Sequence, residues 1–148
     1  MPSIFDPAAA AALDARIAAL TPATTARWGK FDAPKMVAHL TEALRMALGD
    51  IVVRARASGL LRTRLVRYLI IHVVPFPKGA PTAPALLARA STSWDADIAE
   101  LRALVRRAQG EMKRTSWPAH PAFGALSAHD WGVLIHKHVA HHLTQFGV

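Results

Sequence analysis

His138-Val-Ala-His141-His142-Leu-Thr-Gln145-Phe-Gly-Val148 ends the chain, and this stretch says most about its fold and chemistry. On a helix, which turns by about 100° per residue, His138 and His142 lie roughly 40° apart on one face, with Cβ atoms about 5–6 Å apart. Both rings can then bind one divalent ion, for which imidazole is the commonest side-chain ligand. The spacing suggests a metal site, although two solvated histidines would give the same pattern.

The residues before this motif predict where its helix begins and which face it buries. Ser127-Ala-His-Asp130 has the form of a capping box just before an apolar run, which predicts a helix over about Ala128–Phe146. The apolar arc of that helix consists of Trp131, Leu134, Ile135, Val139 and Phe146.

The four histidines in the second half of this helix face different directions. His142 falls near the centre of the apolar arc, and His138 lies beside it together with Gln145. Histidines that face a core are costly unless they are hydrogen-bonded or metal-bound. His138 and His142 are therefore the predicted ligands, whereas His136 and His141 are predicted to face solvent or the rim.

A metal site needs at least one more ligand, and His39 is the candidate. Its segment predicts a helix over about Ala33–Leu48, with Asp32 as the N-cap, Pro34 in the first turn and Gly49 closing the C-terminus. His39 lies at the border of the apolar face, which consists of Met36, Leu40, Ala43, Leu44 and Ala47. The alternative for His39 is a lone, half-buried histidine.

Met36-Val-Ala-His39-Leu40 and His138-x-x-His141-His142-x-x-Gln145 together resemble the DinB-like superfamily. Its members are small four-helix bundles with a three-histidine metal site, one ligand from helix two and two, spaced i, i+4, from helix four. From about residue 26 to the end, the chain also resembles an uncharacterised DinB-like subfamily. The segments that carry this resemblance are Trp28-Gly-Lys30, Arg45-Met-Ala-Leu-Gly-Asp50, Pro75-Phe-Pro-Lys-Gly-Ala-Pro-Thr82, His120-Pro-Ala-Phe-Gly124 and Trp131-Gly132.

The resemblance implies an all-α, DinB-like four-helix bundle with a divalent metal ion, zinc or nickel in the first place, on His39, His138 and His142. Three protein ligands leave an open position, as in catalytic zinc sites. Because some DinB-like proteins are S-transferases that use low-molecular-weight thiols, the resemblance implies transfer of a thiol, or a related hydrolytic step, on a small-molecule substrate. It also allows a homodimer. The alternative is a non-catalytic metal-binding or interaction bundle.

Two polar residues are candidates for hydrogen bonds that would orient the predicted ligand histidines. Gln145 follows His142 by one turn on the same face, and Glu42 follows His39 by one turn. For each, the alternative is a polar residue with no role: at a fraying helix end for Gln145, and on an exposed surface for Glu42.

Composition sets limits on the class of protein. The 148 residues predict a single domain over 1–148, and 52% hydrophobic against 19% charged residues argues against disorder. The chain has no cysteine, which excludes disulfides, thiolate ligands and a cysteine nucleophile. A formal charge of +8 attracts nucleic acids, but no recognised binding motif accompanies it and 7% of residues are aromatic. We therefore predict no nucleic-acid partner.

The rest of the chain predicts two further helices. Asp6-Pro7 begins one that runs to about Leu20, and the other ends at Gly110. The start of the latter stays open between Pro84 and a fresh cap within Ser91–Ser93. Residues 113–126 read as an ordered loop. The chain start lacks the pattern of a signal peptide, and the alanine and arginine bias suits a GC-rich genome, so we expect a cytoplasmic bacterial protein.

An inserted basic segment, residues 54–74, lies between the second and third helices. Its apolar part is too short to span a bilayer, so no transmembrane segment is expected. Its arginines are Arg54, Arg56, Arg62, Arg64 and Arg67. They can meet a membrane surface or an acidic partner. The favoured expectation is a solvated basic face on an extra helix that packs on the bundle or forms a dimer contact.

Overall fold

The structure is a computed structural model that describes residues 1–55, 59–79, 82–91 and 93–148. Within these ranges it contains α-helices and no β-strand. The helices are α1 (Pro7–Ala18), α2 (Ala33–Leu48), α3 (Arg64–Tyr68), α4 (Trp94–Gly110) and α5 (Ala128–Gln145). A π turn, Leu69–Val73, continues α3, and single 3₁₀ turns lie at Leu60–Arg62, Pro84–Leu86 and Glu111–Lys113. No helix of this described part is long and apolar enough to cross a membrane.

Side-chain caps begin the helices where the sequence predicts them. Asp6 caps α1 and Asp32 caps α2, and each carboxylate accepts a hydrogen bond from a backbone N–H of the first turn. Ser127 and Asp130 form the predicted reciprocal capping box at the start of α5. Gly49 ends α2 with a φ of 86°, a left-handed conformation that favours glycine. These local contacts set the ends of the two helices that carry the candidate ligands.

The structure defines two helix boundaries that the sequence left approximate, the start of α4 and the end of α1. α4 begins after Ser93, whose hydroxyl accepts a backbone N–H of the first turn, and Pro84 opens a separate 3₁₀ turn. The fresh cap is therefore the correct alternative. α1 ends at Ala18 rather than Leu20, because the N–H groups that follow it also bond to carbonyls three residues back, which tightens the last turn.

The packing of α2 positions His39. α1 and α2 each pack against both α4 and α5, and α2 also contacts the Pro84–Leu86 turn. Because α2 has neighbours on several sides, 13 of its 16 residues are buried, and His39 is 3% exposed. The alternative for His39, a lone and half-buried histidine, is therefore wrong, because the side chain is buried and its Nε2 lies 3.2 Å from that of His138. The predicted arc of α5 is buried, with Trp131 and Val139 each 1% exposed.

The inserted basic segment forms an extra helix against α5. Lys137 of α5 donates hydrogen bonds from Nζ to the carbonyls of Ile70, Ile71 and Val74, which close the C-terminal end of the π turn. Arg67 donates to the Ala125 carbonyl at 3.0 Å. Arg56, one of the arginines singled out above, lies outside the described residues.

Candidate metal centre

α2 and α5 bring three imidazoles together. His39 comes from α2, and His138 and His142 come from α5. The ring centroids are 5.1 Å apart for His39 and His138, 4.9 Å for His39 and His142, and 5.0 Å for His138 and His142. One possible ligand atom of each ring lies within 4.8 Å of the other two. The three side chains thus meet at a single point between the two helices.

A backbone carbonyl fixes the tautomer of His39. Its Nδ1 lies 3.3 Å from the carbonyl oxygen of Leu86, in the Pro84–Leu86 turn. A carbonyl oxygen can only accept, so Nδ1 carries the proton and donates it. Nε2 of His39 is then left with a lone pair, and it lies 3.2 Å from Nε2 of His138. His39 therefore presents the form of imidazole that binds a metal through Nε2.

Gln145 fixes the tautomer of His142 in the same way. The amide Nε2 of Gln145 donates to the carbonyl of Trp28 at 2.7 Å, and this orients its Oε1 toward Nδ1 of His142, 2.8 Å away. Because that oxygen accepts, Nδ1 of His142 carries the proton and its Nε2 holds a lone pair. Gln145 is 5% exposed, so it is a buried contact of the histidine and not a residue at a frayed end.

Gly29 makes room for this arrangement. Its φ is 86°, and a Cβ built on it would lie 2.5 Å from the amide Nε2 of Gln145. Any larger residue at this position would both strain the backbone and displace the glutamine. The Trp28-Gly29 turn therefore supports His142 through Gln145.

Burial favours the neutral form of the three imidazoles. Desolvation is the main reason that the pKa of His142 falls to about 4, and the neighbouring His39 lowers it further. Desolvation likewise holds the pKa of His138 well below its usual value, with added repulsion from the other histidines. The pKa of His39 is also lowered by burial, although the Leu86 carbonyl opposes the shift. Neutral imidazole is the form that binds metal ions.

Aromatic rings surround the three histidines. Phe31 stacks on His142 with centroids 6.0 Å apart and planes at 25°, and it lies 5.5 Å from His39. Phe76 lies edge-on to His138 at 6.1 Å and close to His141 at 5.9 Å. These rings restrict water at the site, while His138 and His142 keep partial exposure. An ion held there would lie next to these two aromatic rings.

The remaining candidates differ in how they lie relative to this centre, and the ring centroid of His141 is 5.3 Å from that of His142. Glu42 accepts a hydrogen bond from Arg45 at 3.0 Å and lies 3.5 Å from Arg89, so its carboxylate serves ion pairs. We therefore leave Glu42 out of the proposed site. His141 lies at the rim against Trp28, as its place on the wheel predicts, and His136 is partly buried.

No sequence pattern indicated three features of the centre: the Leu86 carbonyl, Phe31 and Phe76. Of these, Phe76 stands within Pro75-Phe-Pro77, part of a segment that the family resemblance identified without giving it a role. Trp28-Gly29 belongs to another such segment. Neither segment contains polar side chains at the spacing of metal ligands. The resemblance to the family was therefore the only indication that these segments lie near the site.

Comparison with known proteins places the chain in a family but gives it no activity. Neither the curated proteins nor the solved structures contain a match to this chain. One family model, described as "Protein of unknown function (DUF1569)", matches residues 7–147, a range that includes all three histidines and Gln145. Because this match covers nearly the whole chain, the protein belongs to the DUF1569 family.

Proposed function

We propose that the protein binds one divalent metal ion, zinc or nickel in the first place, through the Nε2 atoms of His39, His138 and His142. The observation that carries this proposal is the engagement of Nδ1 in His39 and His142, which leaves a lone pair on Nε2 of each ring. One possible ligand atom of each of the three rings lies within 4.8 Å of the other two. Nε2 of His39 lies 3.2 Å from Nε2 of His138, and two lone pairs at this distance would repel each other. A proton on Nε2 of His138 would remove the repulsion at this contact alone, whereas a bound cation would remove it for all three rings.

We also propose that α1, α2, α4 and α5 form a four-helix bundle of the DinB-like kind. The packing of α1 and of α2 against both α4 and α5 supports this arrangement. The distribution of the histidines, one on α2 and two on the last helix, agrees with the ligand pattern that the resemblance implies.

The chemistry that fits three neutral ligands is activation of a small nucleophile. A bound ion would retain its full charge and at least one open position, and it would lower the pKa of a thiol or water held there. Gln145 would orient His142, and Phe31 and Phe76 would pack against the rings of the ligands and limit their contact with bulk water. We propose transfer of a low-molecular-weight thiol to a small electrophile, with hydrolysis as the related reaction.

A second candidate function is a non-catalytic site in which the ion joins α2 to α5. It is favoured by the aromatic cover over the histidines. The structure also has two surface cavities whose linings include none of the three histidines. One, of about 620 Å³, is lined by Glu42, Arg45, Asp50, Ala88, Arg89, Ala90, Glu100 and Leu104. The other, of about 360 Å³, is lined by Arg64, Leu65, Arg67, Tyr68 and Asp130.

Metal content tests the site itself. Untagged protein purified without chelator should contain about one divalent ion per chain by elemental mass spectrometry, and His39→Ala and His138→Ala should lose it. His129→Ala is the matched control, because His129 is on the same helix as His138 but stacks on His72 instead. Absence of bound metal in the wild type, even after reconstitution, would contradict the proposal.

Cobalt substitution distinguishes the two functions. If the ion has an open position, adding a small thiol to the Co²⁺ form should produce a thiolate-to-cobalt charge-transfer band. If the ion only joins the helices, its coordination sphere is filled by the protein, and the visible spectrum should not respond to thiol. A responsive spectrum would justify assays of thiol transfer to small electrophiles.

A further inference from the structure

The outward side of α3 and its π turn is apolar. Leu65 is 69% exposed, Tyr68 58%, Leu69 38% and Val73 53%. The spacing of these four residues, i, i+3, i+4 and i+8, places them on one side of the helical segment. Leu60, just before α3, is 71% exposed. We call the side chains of Leu65, Tyr68, Leu69 and Val73 the α3 face; clustered apolar exposure of this kind marks an interaction surface.

The opposite side of the same segment is fixed to the body of the protein. Ile71 is fully buried, and Nε2 of His72 lies 2.8 Å from the carboxylate of Asp130 on α5. Lys137 binds the carbonyls at the end of the π turn. These contacts hold the α3 face toward solvent, so its exposure does not come from a frayed helix.

The chain segment that carries the α3 face is positively charged, whereas Asp130 of α5, which lies beside Leu65 and Tyr68, has its carboxylate bonded to His72 and Ser127. Residues 51–79 contain no aspartate or glutamate, and the whole chain has a formal charge of +8. Arg62 and Arg64, on either side of the start of α3, are exposed, as is Arg54. An occupant of this surface must therefore offer hydrocarbon to the leucines and negative charge to the arginines.

We propose that the α3 face binds the surface of an anionic lipid bilayer. Leu65, Tyr68 and Leu69 would enter the boundary between headgroups and acyl chains, while Arg62 and Arg64 would meet lipid phosphates. The segment lies on the bilayer and does not span it, since no described helix is long and apolar enough to do so.

Charge and polarity favour this occupant over two others. A second copy of the chain would oppose the same arginines on two molecules that each carry +8, while an anionic bilayer neutralises them. Nucleic acid would satisfy the arginines but leave the leucines and valine in water. A bilayer meets both demands at once.

Vesicle co-sedimentation tests the proposal on the full chain. We expect binding to phosphatidylcholine vesicles that contain about 30% phosphatidylglycerol, much weaker binding to phosphatidylcholine alone, and loss of binding at about 0.5 M salt. Leu65→Ser with Tyr68→Ser should weaken binding to the anionic vesicles about tenfold or more through lost apolar contact. Arg62→Gln with Arg64→Gln should weaken it by a comparable factor.

The matched control is Met112→Ser with Lys113→Gln, which removes an exposed apolar side chain and an exposed charge from the turn after α4. It should bind vesicles like the wild type. Circular dichroism should show the same helix content in all variants, because the changed side chains are exposed. Failure of the wild type to bind anionic vesicles would overturn the proposal, as would binding that the Leu65 and Tyr68 changes leave intact. A wild-type dimer that the same changes convert to a monomer would also overturn it.

Discussion

Two groups of histidines lie along α5, and they differ in what their ring nitrogens meet. Near the start of the helix, Nε2 of His72 lies 2.8 Å from a carboxylate oxygen of Asp130, and His129 stacks on His72 with planes at 9°. In the second half of the helix, His138 and His142 meet His39, and the acceptors that hold their group are a carbonyl and an amide.

The difference concerns which ring nitrogens remain available to a metal ion. The carboxylate of Asp130 engages Nε2 of His72, which leaves only Nδ1 of that ring for a metal, and among the described residues no group of three possible ligands includes His72. In the group of His39, His138 and His142, the acceptors take up Nδ1 of two rings and leave Nε2 with its lone pair. The contacts behind a ring therefore decide whether it can serve as a ligand, and the predictions below test that distinction.

The largest expected effect is the stabilisation of the folded protein by metal. Zinc at about a thousand times its dissociation constant should raise the free energy of unfolding by about 4 kcal/mol, since the three ligands are assembled only in the folded chain. His142→Ala should lose most of this increment, and His72→Ala should keep it. Urea unfolding with and without zinc measures both. If both variants lost the same part of the zinc-dependent stabilisation, the two groups of histidines would not differ in metal binding.

The next largest effect is expected at Gly29, which contacts no metal. Gly29→Ala places a methyl group 2.5 Å from the Gln145 amide and should displace it from His142, which weakens metal affinity about 10–100-fold. Gly124→Ala is the matched control: its φ is also positive, at 73°, but a Cβ there meets no atom within 4 Å. Competition with a chromophoric chelator measures the affinity. Equal losses in the two variants would point to backbone strain rather than to Gln145.

A smaller effect is expected at the other group of histidines. Asp130→Ala removes the acceptor for His72 and one half of the capping box, and should lower the free energy of unfolding by about 1–2 kcal/mol without changing metal affinity. Ser127→Ala is the comparison, because it removes the other half of the box and leaves the contact between His72 and Asp130 in place. If both variants lose the same stability, the bond to His72 contributes nothing.

The bounds of the two helices that carry the candidate ligands were accessible from the sequence because they depend on contacts within a few residues. The Asp32 cap, the left-handed Gly49 and the box of Ser127 with Asp130 each join positions at most five apart. The same holds for the spacing of His138 and His142 on α5. Such patterns predict helices and faces, because both follow from the periodicity of one element.

The contacts behind the ligands were not accessible, because they join distant parts of the chain. The Leu86 carbonyl is 47 residues from His39, and the Trp28 carbonyl is 117 residues from Gln145. The interpretation of Glu42 used spacing along α2 alone, and this helix is buried on nearly every side, so one turn of separation did not place the carboxylate beside His39. Tertiary packing decides these cases.

The smallest effect is expected at Asp14. It serves as a reference for the two groups of histidines, because it tests the pH dependence of an ion pair that contains no histidine. Asp14 joins α1 to α4: its carboxylate accepts hydrogen bonds from Arg102 at 2.8 and 2.7 Å. This contact lowers the pKa of Asp14 below 3.8. A carboxyl with a lowered folded-state pKa stabilises the protein fully above its unfolded value, and that contribution is lost as the pH falls through the folded value.

The test compares the wild type with Asp14→Asn by urea unfolding across acid pH. The wild type should be more stable by a constant amount above the unfolded pKa of about 3.8, and the two proteins should converge below it. Both proteins contain the same histidines, so histidine titration cancels from the difference between them. A difference that changes near pH 6.5, the ordinary histidine value, would instead couple Asp14 to a histidine. In that case the titration of at least one histidine would depend on the ion pair between α1 and α4, and the comparison of the two histidine groups would have to include α1.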